Sequence, residues 1–460
     1  MVKKTSTKTM VIFLVITIFL FIVGYFVFQW KNDPRRLVNI AYNVSRVFPL
    51  GDKHNTAIEI VHYFMQKDDV ERNYLILLQN NMELRPGGGY IGSFAIVKVK
   101  NGEVIDSAVH DTANFDGRIP DKIDPPYPIK EVLNVPSWKL RDSNWLPDFP
   151  SNARVVENFY KLGGGKDEFD GVFAVNATIL DTILDITGPI KLDGYPDTYK
   201  SGDAIITLEY QVERGYVKQG IAKGDRKVVM NDLADEIIAR VKDFSLTEKL
   251  SIVDDILHIF ENKDIQMYFK DERMAQLVDA IGWSGAVDQV WDKDYLMVVD
   301  ANLASYKTDN VMKRSINYDI DLSGTIPQAI LTVHYENTAK KRDWMTYDYQ
   351  TYLRVYVPEG VWFTSIEGCV LDPQYGTKHG KKYIGCLVHT QLGTQKDVVV
   401  HYNLPMNLKN KYPYNLKIQK QSGVHNVPVS VSVKNPSPDL LQKYDFVMDS
   451  DIILSEIKQK

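Results

Sequence analysis

The chain has 460 residues, 44% hydrophobic and 25% charged, with a net charge of −5. That length allows about three domains of roughly 150 residues each, and the ordinary proportions exclude a fibrous or disordered class. The negative balance argues against nucleic acid as a partner, which calls for a strongly basic face.

Residues 1–9 carry Lys3, Lys4 and Lys8, and residues 10–28 then run without a charge. At about 1.5 Å per residue, a helix of that length crosses roughly 30 Å of hydrocarbon. A transmembrane helix is therefore expected over 10–29, with Trp30 at the interface. No small-residue cleavage site follows, so the segment reads as an uncleaved anchor after a short cytoplasmic tail. Lys31, Arg35 and Arg36 flank the far side and blunt the charge bias. The expectation is a single-pass cell-membrane protein with its bulk outside the cytoplasm. Residues 30–69 read as a juxtamembrane helical stalk, with an early domain helix as the alternative, from Ile58, Ile60, Val61, Tyr63 and Phe64.

The next stretch organises the chain. An apolar run, 74–78, leads into Arg85-Pro86-Gly87-Gly88-Gly89, and two alternating runs, 94–99 and 103–109, lead out around Asn101-Gly102. This predicts strand, glycine loop and hairpin, since Asn-Gly supplies the positive φ angles of a tight turn. A proline-rich loop region covers 117–150. A helix is predicted over 151–162, capped by Ser151 or Asn152 and stopped by Gly163. A buried strand over 169–175 and a helix from Asn176 to Gly188 follow. Residues 203–260 read as helical, with Ser245 and Glu248 forming a reciprocal cap. A strand over 265–269, a helix over 273–281 and a strand over 295–300 complete an α/β domain expected at 70–305.

From Lys313 the pattern changes to short alternating strands, over 316–322, 330–335, 349–357, 396–402, 414–420 and 427–433. That succession predicts an all-β, immunoglobulin-like sandwich at 313–435, followed by a short tail at 436–460. The only cysteines, Cys369 and Cys386, fall in strand-like segments. An extracytoplasmic location would permit a disulfide between them; two free thiols are the alternative.

The chemistry begins with Gly87, Gly89 and Gly92, which match the spacing of a dinucleotide-binding fingerprint. A strand follows them rather than a helix, so no helix N-terminus would receive a pyrophosphate, and that reading is rejected. Arg85 beside Gly87, Gly88 and Gly89 offers guanidinium and backbone N–H donors to a phosphate. The competing reading pairs Arg85 with Glu83 or another acid and leaves the glycines to turn the chain. Lys223-Gly224-Asp225-Arg226-Lys227 is a second basic cluster at a helix start. Asp106, Asp111 and Asp116 are candidate magnesium ligands, though aspartates are common in loops.

The stretch from Asn80 through Arg85, Gly89 and Ser93 resembles the signature of domain-of-unknown-function family 4012, membrane-anchored bacterial proteins. Residues 169–176, Thr187-Gly188-Pro189, 224–227 and 352–360 fit the same family. The order of elements is also similar to the LytR-CpsA-Psr domain, whose members move glycopolymers from a polyprenyl-pyrophosphate lipid to the cell wall using arginines and magnesium. That second resemblance implies phosphate contacts from Arg85, Gly87, Gly88, Gly89, Arg226 and Lys227. It also implies Asp111 as metal ligand and, with Arg85, as catalytic residue. Two departures stand out: Pro86-Gly87 replaces a Ser-Asp pair, and His110 replaces an arginine. The expected function is a cell-envelope protein binding or transferring a phosphate-bearing, lipid-linked glycan or cell-wall polymer. The alternative is a non-enzymatic adhesion or scaffold protein acting through the sandwich.

Overall fold

The computed structural model describes residues 34–47, 51–222, 225–226, 228–245, 248, 251–409, 414–435 and 441–457. The expected anchor at 10–29 and Lys227 lie outside the described residues. Among the described residues, no helix is long and apolar enough to cross a membrane.

The run from Tyr74 to Leu77 is buried at every position, because its strand is the middle one of five. β1 (Glu71–Arg85) lies antiparallel to β2 (Gly88–Lys100) and parallel to β4 (Gly171–Asn176). β3 (Glu103–Asp111) and β7 (Ile265–Phe269) form the edges. A separate two-stranded hairpin pairs β5 (Ile190–Lys191) with β6 (Thr198–Tyr199). Tyr74 and Ile76 face one core, shared with the helices Ile179–Thr187, Val228–Asp243 and Val253–Glu261. Leu75 and Leu77 face a second core, under the helix Phe149–Leu162. Helices on both faces make a three-layer α/β unit, and a strand covered on both sides reads as a continuous apolar run. The predicted turn is present, with Asn101 at φ 53° and Gly102 at φ 78°.

The helices follow the expected pattern with two corrections. Asp148, rather than Ser151 or Asn152, caps the helix Phe149–Leu162, accepting from the Ser151 N–H at 3.0 Å. Pro150 falls in the first turn, where its missing N–H costs nothing. The stretch read as helical over 203–260 is broken into Ala204–Tyr210, a π-helical turn at Gln211–Gly215, Val228–Asp243 and Val253–Glu261. The reciprocal cap is as expected: Ser245 N–H donates to Glu248 at 2.7 Å, and Glu248 N–H donates to Ser245 Oγ at 3.3 Å.

The rest is β-rich. One six-stranded sheet has the order β12 (Trp362–Glu367), β15 (Gln395–Asn403), β10 (Gln328–Asn337), β9 (Met312–Asp321), β17 (Val427–Lys434), β18 (Leu441–Met448). The other runs β13 (Gln374–Lys378), β14 (Lys381–Thr390), β11 (Tyr349–Pro358), β8 (Asp294–Val299), β16 (Tyr414–Ile418), β19 (Ile452–Ile457). Tyr318, Leu331 and Val400 of the first sheet share one core with Leu353, Ile384 and Leu416 of the second.

The domain limits predicted at 305 and 435 are thus corrected. β8 belongs to the β-rich unit, wedged between β11 and β16. The tail supplies an edge strand to each sheet. An apolar strand looks the same whichever sheet receives it, because its pattern records burial and not the identity of its neighbours. Cys369 and Cys386 are bridged, with Cα atoms 5.5 Å apart, joining the chain after β12 to β14.

Candidate functional site

β1 does not run evenly into its hairpin. Its register with β2 jumps from Asn80 opposite Tyr90 to Leu84 opposite Gly89, so residues 81–83 bulge outward. The bulge is where the α/β unit meets the β-rich unit. Asn81 Nδ2 donates to the Gly423 carbonyl at 3.0 Å, and Leu84 N–H donates to Asp309 Oδ2 at 3.0 Å. The Asn302 N–H donates to the Leu84 carbonyl at 2.9 Å, and Gln421 Nε2 to the Arg85 carbonyl at 3.0 Å. Glu83 pairs with Lys307 at 2.8 Å.

Arg85 lies inside this joint and is 4% exposed. Its Nε donates to Asp142 Oδ1 at 2.9 Å, and its Nη1 to the carbonyls of Asn302 and Leu84 at 2.9 and 3.2 Å. The acid-paired reading is the one observed, with Asp142 as partner instead of Glu83. The glycine N–H groups are also engaged: Gly87 donates to the Asn144 carbonyl at 3.0 Å and Gly89 to Gln79 Oε1 at 3.3 Å. A Cβ on Gly87, Gly88 or Gly89 would stand 2.4, 2.0 or 2.2 Å from Asn152 Nδ2, Gln79 Oε1 or the Asn80 carbonyl carbon. Close packing therefore explains the triple glycine. The expected phosphate cradle is a structural joint in this conformation, because Arg85 Nε and Nη1 and the Gly87 and Gly89 N–H groups already meet protein acceptors.

The other expected site residues do not join it. Arg226 is paired with Glu213 at 3.2 Å, on the π-helical turn. Asp111 caps the short helix Thr112–Asp116 by accepting from the Asn114 N–H at 3.1 Å. Asp106 accepts from the Ser107 N–H, and Asp116 pairs with Arg141 at 2.6 Å. Among the described residues, no group of three or more His, Cys, Asp or Glu side chains is placed to hold a metal ion. The magnesium expected at Asp111 thus has no such ligand set there.

The concavity worth considering is a cleft of about 410 Å³ beside the bulge, between the two units. Asn81, Thr178, Asp181 and Asp203 line its α/β wall, and Lys313 and His425 its β-rich wall. His425 lies between two carboxylates, with Nε2 3.0 Å from Asp264 Oδ1 and Nδ1 3.1 Å from Asp449 Oδ1. Thr178 Oγ1 is 3.3 Å from the same Nε2. Hydroxyl, imidazole and carboxylate thus fall in the order of a nucleophile relay.

Protonation decides against that role. Carboxylates only accept, so both ring nitrogens donate and the ring is an imidazolium. Burial pulls its pKa down, but Asp264 and Asp449 outweigh that and hold it above the ordinary 6.5. The Thr178 hydroxyl meanwhile donates to Asp264 Oδ1 at 2.7 Å. An imidazolium has no lone pair with which to take the Thr178 proton. The group acts as a charge clamp between the two units. Beside it, burial pulls Lys420 down to about 8 while its Nζ donates to the Asn262 and Gln421 carbonyls. Sequence reading missed His425 because its partners are 161 and 24 residues away in the chain.

Residues 69–212 match the family model described as "Protein of unknown function (DUF4012)". The matched segment is about a third of the chain. It runs from the start of β1 past the helix Ala204–Tyr210 and so includes the bulge, Arg85 and the three glycines. No curated protein matches the chain. Among solved structures it is similar to the Lin1025 protein from Listeria innocua, at 11% identity and a TM-score of 0.24. That similarity covers 47% of this chain and 80% of the Listeria one. It is too slight to speak for a shared fold.

Proposed function

We propose that this chain is a membrane-tethered, extracytoplasmic binding protein of the cell envelope that acts without turnover, through its β-rich unit. The observation that carries the reading is an aromatic edge on that unit. Trp362 of β12 is 69% exposed and Tyr375 of β13 is 58% exposed. Phe363 joins them, its ring centroid 6.0 Å from that of Tyr375. Exposed aromatic patches on soluble surfaces mark interaction sites. Flat rings of this kind stack on the C–H faces of sugars, which makes a cell-wall glycan the partner of choice. The Cys369–Cys386 bridge beside the edge suits an oxidising compartment, and the uncharged run at 10–28 suits a tether.

Transfer from a polyprenyl pyrophosphate, as the LytR-CpsA-Psr resemblance implies, would require Arg85 to leave Asp142 and two carbonyls. The test is co-sedimentation of the full chain, in detergent micelles, with purified cell-wall polymer. Trp362→Ala and Tyr375→Ala should release the protein to the supernatant, and unchanged sedimentation would refute the reading. Release of polymer-bound product from polyprenyl pyrophosphate with magnesium, abolished by Arg85→Ala, would establish transfer instead.

A further inference from the structure

A second surface where the two units meet belongs neither to the Arg85 joint nor to the aromatic edge. The loop 338–348, between β10 and β11, is pinned to the α/β unit by Trp344 and Met345, which pack against its core. Trp344 meets Tyr210 edge to face, with centroids 6.3 Å apart. Three exposed cations sit on the rings gathered here. Arg214, on the π-helical turn, has its Cζ 5.7 Å from the Trp344 centroid. Lys218 Nζ is 5.4 Å from the Tyr210 centroid and donates to the Tyr210 hydroxyl at 2.7 Å. Arg342 Cζ is 4.7 and 5.4 Å from the centroids of Tyr347 and Tyr306, and its Nη2 donates to the Tyr306 hydroxyl. Lys340 and Lys341 precede it in the chain and are exposed.

Among the described residues none of these three cations is in an ion pair, whereas Arg226 and Lys307 nearby are taken by Glu213 and Glu83. The local acids do not neutralise them. Asp343 turns into its own loop, accepting from the Met345 and Thr346 N–H groups and the Thr346 hydroxyl, and Asp197 acts on Lys218 only through its charge. A cation on a ring face is held in place yet keeps its charge, and its outward N–H groups stay available to an oxyanion. The chain as a whole carries −5 and would be repelled by an anionic surface. Screening over about 10 Å at about 0.1 M salt lets the local patch decide instead.

An open array of cations fits an extended anionic surface better than one small anion. Val217, next to Lys218 on the short helix Tyr216–Lys218, is 64% exposed, and Tyr347 is 37% exposed. Cations, aromatic rings and an exposed aliphatic side chain together match a bilayer interface, where phosphates take the cations and the headgroup boundary takes the rings and the valine. A soluble polyanion would leave Val217 in water. We propose that this patch docks on anionic phospholipid headgroups of the membrane that tethers the chain, and so holds both units against the bilayer. The inference rests on the tether in the reading above and is independent of the aromatic edge.

The experiment places the full chain in nanodiscs of phosphatidylcholine, alone or mixed with phosphatidylglycerol. A brief pulse of an amine-acetylating ester, resolved by peptide mass spectrometry, reads the accessibility of Lys340 and Lys341. With phosphatidylglycerol present both should label at least about fivefold more slowly, the weight of one cation at an anionic surface. Lys161, exposed on the helix Phe149–Leu162, should label equally in the two discs. Arg214→Gln combined with Arg342→Gln should restore the rate, and both side chains are exposed, so the fold is not at risk. Salt of about 1 M, which shortens screening to about 3 Å, should do the same. Trp362→Ala should change nothing. Equal labelling of Lys340 and Lys341 in the two discs, slowing that survives the double variant, or equal slowing at Lys161 would overturn the inference. So would soluble polyphosphate that slows the same lysines in phosphatidylcholine discs as much as phosphatidylglycerol does. A chain that does not co-elute with the discs would refute the tether and the docking together, whereas a chain that co-elutes and labels equally refutes the docking alone.

Discussion

Replacing Arg85 by alanine tests whether the family motif is a joint or an anion site. In the wild-type protein the Arg85 and Asp142 side chains are 5% and 8% exposed and 2.9 Å apart. The substitution leaves the Asp142 carboxylate buried without its cation and takes a donor from the Asn302 carbonyl. Removing one member of a buried pair costs about 3–5 kcal/mol. Asp142→Ala should cost a similar amount, since it strands the guanidinium. The double variant removes both charges and should be less destabilised than the sum of the singles by roughly 2 kcal/mol. Urea unfolding followed by tryptophan fluorescence provides the assay. Because Arg85 ties the two units together, the single variants should also separate one transition into two. Additive losses would refute the coupling, as would an unaltered unfolding curve in a protein that has lost affinity for polyprenyl pyrophosphate.

Three further outcomes are expected. Asp294 sits in the β-rich core against the hydroxyls of Tyr318 and Tyr414, and burial pushes its carboxyl up to about 6. The folded chain therefore holds this proton more tightly than the unfolded one. Its stabilisation is full below the ordinary 3.8 and falls by roughly 3 kcal/mol as pH rises through 6; Asp294→Asn should flatten that slope in urea titrations run at several pH values. His425, raised above 6.5, should contribute stability below that pH and lose it as pH rises through the folded value, a loss absent in His425→Gln and visible as a pH-dependent melting midpoint. Reduction of the Cys369–Cys386 bridge, which spans 17 residues, should cost about 3 kcal/mol by chain entropy, read as a lower urea midpoint under dithiothreitol.

Much of the fold was legible locally. The turn at Asn101-Gly102 and the cap at Ser245 and Glu248 depend on neighbours within a few residues, so the residues specify them directly. The apolar run over 74–78 likewise announced a strand, which the structure places in the middle of its sheet. The candidate site was less legible. Arg85, the glycines and Asp111 were singled out in the sequence, yet their partners were not visible. Asp142 lies 57 residues from Arg85, and Asn302 lies 217 away.

Taken alone, the sequence determined an uncharged N-terminal run, an α/β segment with a family signature, and a change to β structure near Lys313. Only the tertiary structure decided that β8 joins the later sheets, that the tail supplies two edge strands, and that Arg85 is a tie between units. The reason is range. Periodicity, caps and turns are set by contacts a few residues apart, whereas strand pairing and the partner of a buried charge are set by whichever distant groups the fold delivers. An arginine beside three glycines reads the same whether it awaits a phosphate or already holds an aspartate.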